Sequence, residues 1–219
     1  MSKHFQRDLD HLQQDIIAMA SSVEDAIHKS IRALQDRQMT LAYEVISGDK
    51  QIDVEENLVE EECLKLLALH QPVAVDLRRI VAALKINTDL ERMADLAEDI
   101  AERALHLSKL PPINVPPKLQ RMTDLTTSMV HQALDAFVQL DSRMARLVCR
   151  LDDEVDLLNK DIIDELIQTM RSSADMVEPG LSLFSATRHL ERIADHATNI
   201  AEDVVYLVEG EIIRHQPQT

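Results

Sequence analysis

Thirteen residues, Leu90 to Glu102 (LERMADLAEDIAE), return one hundred residues later as Leu190 to Glu202 (LERIADHATNIAE) with four substitutions. Nine matched positions at a constant spacing identify a duplicated unit, so one architecture must be built twice within 219 residues. Within the segment, Leu90, Met93, Ala94, Ala97, Ile100 and Ala101 recur at the helical period and form one apolar stripe. A shared core explains that stripe. It does not explain why Glu91/Glu191, Arg92/Arg192, Asp95/Asp195 and Glu102/Glu202 are repeated as well. The match weakens but continues upstream: Asp49-Lys-Gln-Ile-Asp53 aligns with Asp152-Asp-Glu-Val-Asp156, and His28 with His131, at an offset of 103.

The fold that accommodates this repeat is all-α. Apolar residues make up 45% of the chain but aromatic ones only 2%, so the core must be built from Leu, Ile, Val, Met and Ala, which suit packed helices. Three glycines are too few for a chain of tight hairpins, and they exclude the glycine-rich phosphate cradles of nucleotide-binding folds. Periodicity predicts six long helices, roughly 4–36, 39–69, 73–108, 118–140, 142–173 and 181–213. Four prolines within Pro111–Pro117 break the helical pattern and mark an extended connector. The expected organisation is a three-helix unit over 1–108, the connector at 109–117, and a second three-helix unit over 118–219. Helices of this length make the molecule elongated. Asp36 and Asp141 are expected as caps of the second and fifth helices. Pro72 is placed in the first turn of the third helix, and Pro179-Gly180 at the entry of the sixth.

Composition also limits function. With 23 basic against 39 acidic residues the formal charge is −16, which repels nucleic acid and anionic lipid. Cys63 and Cys149 stand far apart in apolar surroundings, as expected of small core residues in a reducing cytoplasm. No apolar run resembles a signal peptide or a membrane span. The methionines at 122, 129, 144 and 170 read as core fillers.

The acidic residues carry the functional argument. Each half sets Asp-xxx-Asp on its second helix and Glu-xxx-Asp on its third, and positions four apart share a helix face. Like charges so placed cost a few tenths of a kcal/mol per pair in an isolated helix. Hard cations, which take several oxygen ligands, suit such an arrangement. The candidate ligands are Asp49, Asp53, Glu91 and Asp95, then Asp152, Asp156, Glu191 and Asp195, with Glu98, Glu102 and Asn199 nearby. The plainer alternative is a solvated acidic face whose carboxylates are tied by Arg92 and Arg192. Glu-x-x-His, the usual companion of inward carboxylates in di-iron bundles, is absent, as is HExxH. His189 is read as a surface or capping histidine. His196, with Leu96 as its counterpart, points away from Asp195 and is not expected to ligate. Asp76 favours the dipole of the third helix; it lies within a stretch, Gln71 to Arg79, that lacks a partner in the other half, and its alternative reading is a docking or site-bordering position.

In the doubled LERxAD motif, the Gln71-Pro…Asp76-Leu-Arg78 entry, the Asp49/Asp53 and Asp152/Asp156 pairs and the terminal Gly210…Ile213-Arg214-His215, the chain resembles the PhoU family of accessory proteins of bacterial phosphate uptake. The resemblance implies two tandem three-helix bundles and no catalytic activity. It implies multinuclear metal clusters held by paired E(D)xxxD motifs, which map onto the eight carboxylates named above. Iron, zinc, manganese and magnesium are the candidate ions. It further implies partners: the ATPase subunit of the phosphate ABC transporter and the sensor histidine kinase PhoR, both restrained when phosphate is plentiful. A cytoplasmic homodimer reaching the membrane only through these partners is the corresponding expectation. Thr198 and Asn199 replace Glu98 and Asp99, so the second cluster is poorer in carboxylates. Two other readings stay open: an acidic helical adaptor without metal, and a phosphoesterase with a two-metal site.

Overall fold

The computed structural model describes residues 3–213. Among them are six long helices: α1 (Lys3–Asp36), α2 (Met39–His70), α3 (Val75–Leu107), α4 (Lys118–Gln139), α5 (Ser142–Ser172) and α6 (Val177–Glu209). A short 3₁₀ turn, Ala174–Met176, precedes α6. The expected helices are all present. Arg214 and His215, part of the terminal motif read from the sequence, lie outside the described residues.

The helix ends show where local chemistry decides. Asp141 caps α5 as expected, its carboxylate accepting from the backbone N–H groups of Arg143 and Met144 at 2.8 and 3.1 Å. Asp141→Ala should therefore cost about 1 kcal/mol, read as a lower urea midpoint with an unchanged slope. Asp36 does not cap α2. It is the last residue of α1, Arg37 turns left-handed at φ 54°, and Gln38 occupies the cap position without a side-chain hydrogen bond. Pro72 lies outside α3, because Gln71 and Ala74 both have positive φ and the helix starts only at Val75. Conversely, α6 starts before Pro179: that proline sits within the first turn, where its missing N–H costs nothing. The same helix ends at Glu209, earlier than expected, because Gly210 turns left-handed at φ 77°.

Each half is an up-down-up bundle. Asp8 of α1 meets His70 of α2, Asn87 of α3 donates to the Glu56 carbonyl of α2, and Arg37 reaches the Leu107 carbonyl. In the second half, Lys118 of α4 pairs with Asp161 of α5, and Arg146 of α5 pairs with Glu209 of α6. The repeated stripe is buried throughout: Leu90, Met93, Ala97, Ile100 and Ala101 expose nothing, as do Leu190, Ile193, Ala197, Ile200 and Ala201. Met122 and Met129 are fully buried, and Met144 and Met170 pack against the core. Cys63 and Cys149 are buried and not disulfide-bonded. Burial, then nearby carboxylates, push their thiols up to about 12 and about 11, so neither supplies a thiolate near neutrality.

The halves share one core, joined chiefly where α3 runs antiparallel to α6. Across this seam Lys85 Nζ meets Asp203 at 2.7 Å, Asp89 meets His196 Nδ1 at 2.7 Å and Asn199 Nδ2 at 3.4 Å, and Asp99 lies 3.7 Å from His189 Nδ1. Nearer the connector, His106 Nδ1 lies 3.0 Å from the Ser182 hydroxyl. The repeat exchanges Asp89 with His189 and Asp99 with Asn199, so it maps the contact Asp89–Asn199 onto His189–Asp99. A local twofold axis therefore passes between Ala94 and Ala194, which are 2% and 0% exposed. Small side chains there let the helix axes approach closely. α1 and α4 make a second, lighter contact through Glu24–His131 and through Gln13 with the Val138 carbonyl. The proline connector lies against this core, with Leu110, Ile113 and Val115 packed on it.

Candidate functional site

The apolar stripe of α3 faces the core, so Glu91, Asp95 and Glu98 fall along the cleft toward α2. There Asp49 and Asp53 of α2 stand opposite Glu91 and Asp95 of α3. Asp49 and Glu91 are half-buried, whereas Asp53 and Asp95 remain exposed. The carboxylates perturb one another across the cleft. Burial raises Asp49, and Asp53 and Asp95 add to the rise. Burial raises Glu91, reinforced by Asp95, Glu56 and Asp53, and Asp95 is raised by lost hydration and by Asp53 and Asp99. Glu98 is raised by burial, Asp49 and Glu102, so it belongs to the same cluster.

The second half repeats this arrangement between α5 and α6. Asp152 is pushed up to about 6, first by burial and then by Asp195 and Asp156. Asp195 is raised by burial, Glu191 and Asp156. Glu191 is 8% exposed and raised chiefly by burial, with Arg188 acting in the opposite direction. Its Oε1 accepts from Arg188 Nη1 at 2.9 Å, while Oε2 is buried without a hydrogen-bond partner. The structure thus brings together the four carboxylates read from sequence in each half.

Several neighbours went unread. Arg188 stands three residues before Glu191, a spacing that signals a helical ion pair, yet its first-half counterpart is Thr88. Thr198 lies beside Asp152 and offsets part of its rise. Neither Arg92 nor Arg192 forms an ion pair among the described residues, though the charge of Arg92 offsets part of the rise at Glu91 and Asp95. Asn199 turns to Asp89 across the seam rather than toward the second cluster. His189 is no surface histidine: its side chain is 18% exposed, between Ser185 and Asp99. Burial lowers its pKa, against the opposing pull of Asp99.

Crowded carboxylates between two helices have three outlets: take up protons, recruit basic side chains, or hold a cation. The donor set fits a hard or borderline metal ion, since it is all oxygen, is tied, among the described residues, by no ion pair in the first half, and leaves Glu191 Oε2 unpaired. As the side chains stand, no three His, Cys, Asp or Glu groups among the described residues close around a common point. Coordination would require rotation of the exposed Asp53, Asp95, Asp156 and Asp195.

The sequence profile of the PhoU domain matches residues 16–104 and again 119–204, one copy per bundle. A PhoU homolog of the phosphate-specific transport system from Aquifex aeolicus is 40% identical over 96% of this chain and 95% of its own length. One from Pseudomonas putida is 37% identical over 98% of this chain and 84% of its own. The crystal structure of PhoU from Pseudomonas aeruginosa superposes with a TM-score of 0.91 at 36% identity, covering 94% of this chain and all of the other. The phosphate transport system regulatory protein PhoU from Streptococcus pneumoniae gives 0.88 at 29% identity, covering 95% and 98%. A twice-built three-helix bundle, matched once per repeat and along nearly its whole length, belongs to the PhoU family.

Proposed function

We propose that this protein is a non-enzymatic accessory regulator of phosphate transport, acting by docking rather than by turnover. Under this reading it restrains the ATPase subunit of a phosphate ABC transporter, and the PhoR sensor kinase, when phosphate is plentiful. Metal ions sit on Asp49, Asp53, Glu91 and Asp95, and on Asp152, Asp156, Glu191 and Asp195. The observation that carries it is the paired cleft: the fold places four mutually repelling carboxylates in the same position twice, with one buried oxygen unsatisfied. A bound cation supplies the missing positive charge, and it lets an otherwise repelled acidic or phosphate-bearing surface approach. Iron, manganese, zinc and magnesium all accept such oxygen donors. A cytoplasmic location accords with this role, and no helix among the described residues is long and apolar enough to cross a membrane.

The test compares metal content, by mass spectrometry, in untagged protein and in the variant Glu91→Gln, Asp95→Asn, Glu191→Gln, Asp195→Asn. Both should give the same helical circular dichroism, and bound metal should disappear from the variant alone. Capture of the transporter from membranes should then fail for the variant and for chelated wild type. If chelation leaves capture intact while raised salt abolishes it, the acidic faces dock without metal. Turnover of phosphoesters that vanishes in Asp95→Asn would instead make the protein an enzyme.

A further inference from the structure

A polar groove of about 490 Å³ runs along the junction of α2, α3 and α6, beside the seam rather than in the carboxylate cleft. Its walls carry Glu56 and Glu60 from α2, Leu84, Asn87 and Arg92 from α3, and Asp203 from α6. Four carboxylates face two basic side chains there. Lys85 is already committed to Asp203 at 2.7 Å, and Asp89 is held by His196 and Asn199. The positive charge of Arg92 acts on Glu91 and Asp95. The carboxylates of Glu56 and Glu60, one helical turn apart, form no ion pair among the described residues. Burial raises Glu56, and Glu60 and Asp53 raise it further.

Asn87 gives the second, independent sign. It is 1% exposed and donates through Nδ2 to the Glu56 carbonyl at 2.9 Å, yet its Oδ1 is buried with no partner. A fully buried amide oxygen without a donor is costly, on the order of 1–3 kcal/mol, unless something arrives to satisfy it. The fold does not require this set. Where the repeat builds the same junction again, Glu56, Glu60, Lys85, Asn87 and Thr88 become Asn159, Ile163, Ser185, Thr187 and Arg188.

We infer that this groove binds a small organic ammonium ion of the aliphatic diamine or polyamine class, with its ammonium head between Glu56, Glu60 and Asn87 Oδ1. An ammonium carries three N–H donors that can reach acceptors spread along a helix and across to its neighbour. A metal ion needs several oxygens converging at about 2.0–2.6 Å, and these acceptors are strung out instead. The exposed methylenes of the groove wall and Leu84 suit an aliphatic stem.

The experiment is titration calorimetry of the full chain, freed of metal, with putrescine and spermidine at about 0.15 M salt, where diffuse attraction is screened beyond about 8 Å. Saturable binding of one amine per chain is expected. It should weaken about tenfold or more in Glu60→Gln, an exposed change that leaves the core alone, and further in Glu56→Gln/Glu60→Gln. It should persist in the control Asp164→Asn/Glu165→Gln, and in the Glu91, Asp95, Glu191, Asp195 quadruple variant. Absence of saturable binding overturns the proposal. So does equal weakening in the control, which would mean diffuse attraction to an acidic protein, or loss in the quadruple variant, which would place the amine in the carboxylate cleft. Magnesium that binds more tightly than putrescine and displaces it would overturn it in favour of a metal site.

Discussion

In chelator at pH 7, Asp152→Asn should raise the stability of the protein by about 1–2 kcal/mol, and it should reduce the rise in stability that the wild type shows on mild acidification. The folded protein holds this carboxyl at about 6 against an ordinary 3.8, through burial and the charges of Asp195 and Asp156. Above pH 6 both folded and unfolded chains carry the charge, and only the folded one bears its cost. Between pH 6 and 3.8 the folded state takes up a proton that the unfolded state does not yet bind, so stability rises as pH falls and levels off below 3.8. A shift of about two units is nominally about 3 kcal/mol, reduced here because part of the cleft stays in water. Asp49, Glu91, Asp95, Glu191 and Asp195 are raised too and act in the same direction. Urea melts at pH 7, 6 and 5 read the effect. A wild type that weakens steadily from pH 7 to pH 5, with a neutral or destabilising Asp152→Asn, would mean that the clefts are not strained. Added metal should reverse the sign of the substitution, because an ion selects the ionised form that asparagine cannot supply.

His196→Leu should be the most damaging single change at the seam, lowering stability by about 2 kcal/mol and the Tm by roughly 4–8 °C. The imidazole lies 2.7 Å from the Asp89 carboxylate, with side-chain exposures of only 10% and 14%. Its loss leaves that carboxylate with Asn199 alone, at 3.4 Å. The double variant Asp89→Leu/His196→Leu should recover much of the loss, since an apolar pair needs no donor and the first half already buries Leu96 at the equivalent place. Calorimetry on the two single variants and the double gives the coupling energy. Additive losses would show that the two groups do not depend on each other.

What could be read in advance, and what could not, divides by distance along the chain. Helix number followed from 3.6-residue periodicity and from the prolines of the connector, both local. The Asp141 cap and the buried LERxAD stripe were legible for the same reason. Asp36 misled because a capping residue type stood near a boundary, while the actual turn used positive φ at Arg37, which no side-chain signature announces. At Gln71 and Ala74 the same device displaced the start of α3. The carboxylate clefts were legible only because duplication wrote them twice. The contacts of Asn199 and His196 were not, because each contact of Asp89 spans more than one hundred residues and depends on how α3 meets α6; Arg188 is the exception, a local partner of Glu191 that the repeat hid because its counterpart is Thr88.

The seam also dictates an order of events during synthesis. Contacts within α1–α3 are made by neighbours in sequence, whereas Asp89 waits for His196 and Ala94 for the α6 segment around Ala194. Long-range pairing follows local pairing, because the chain between must first be drawn together. When the first half has left the ribosome and the second has not, the α6-facing side of α3 is bare, including the close-approach surface around Ala94 and an unpartnered Asp89. Nascent chains in that interval carry a surface shaped to receive a copy of their own repeat, and a second nascent first half offers one. Duplication within one chain keeps the correct copy close at hand, at a far higher local concentration than any neighbour reaches.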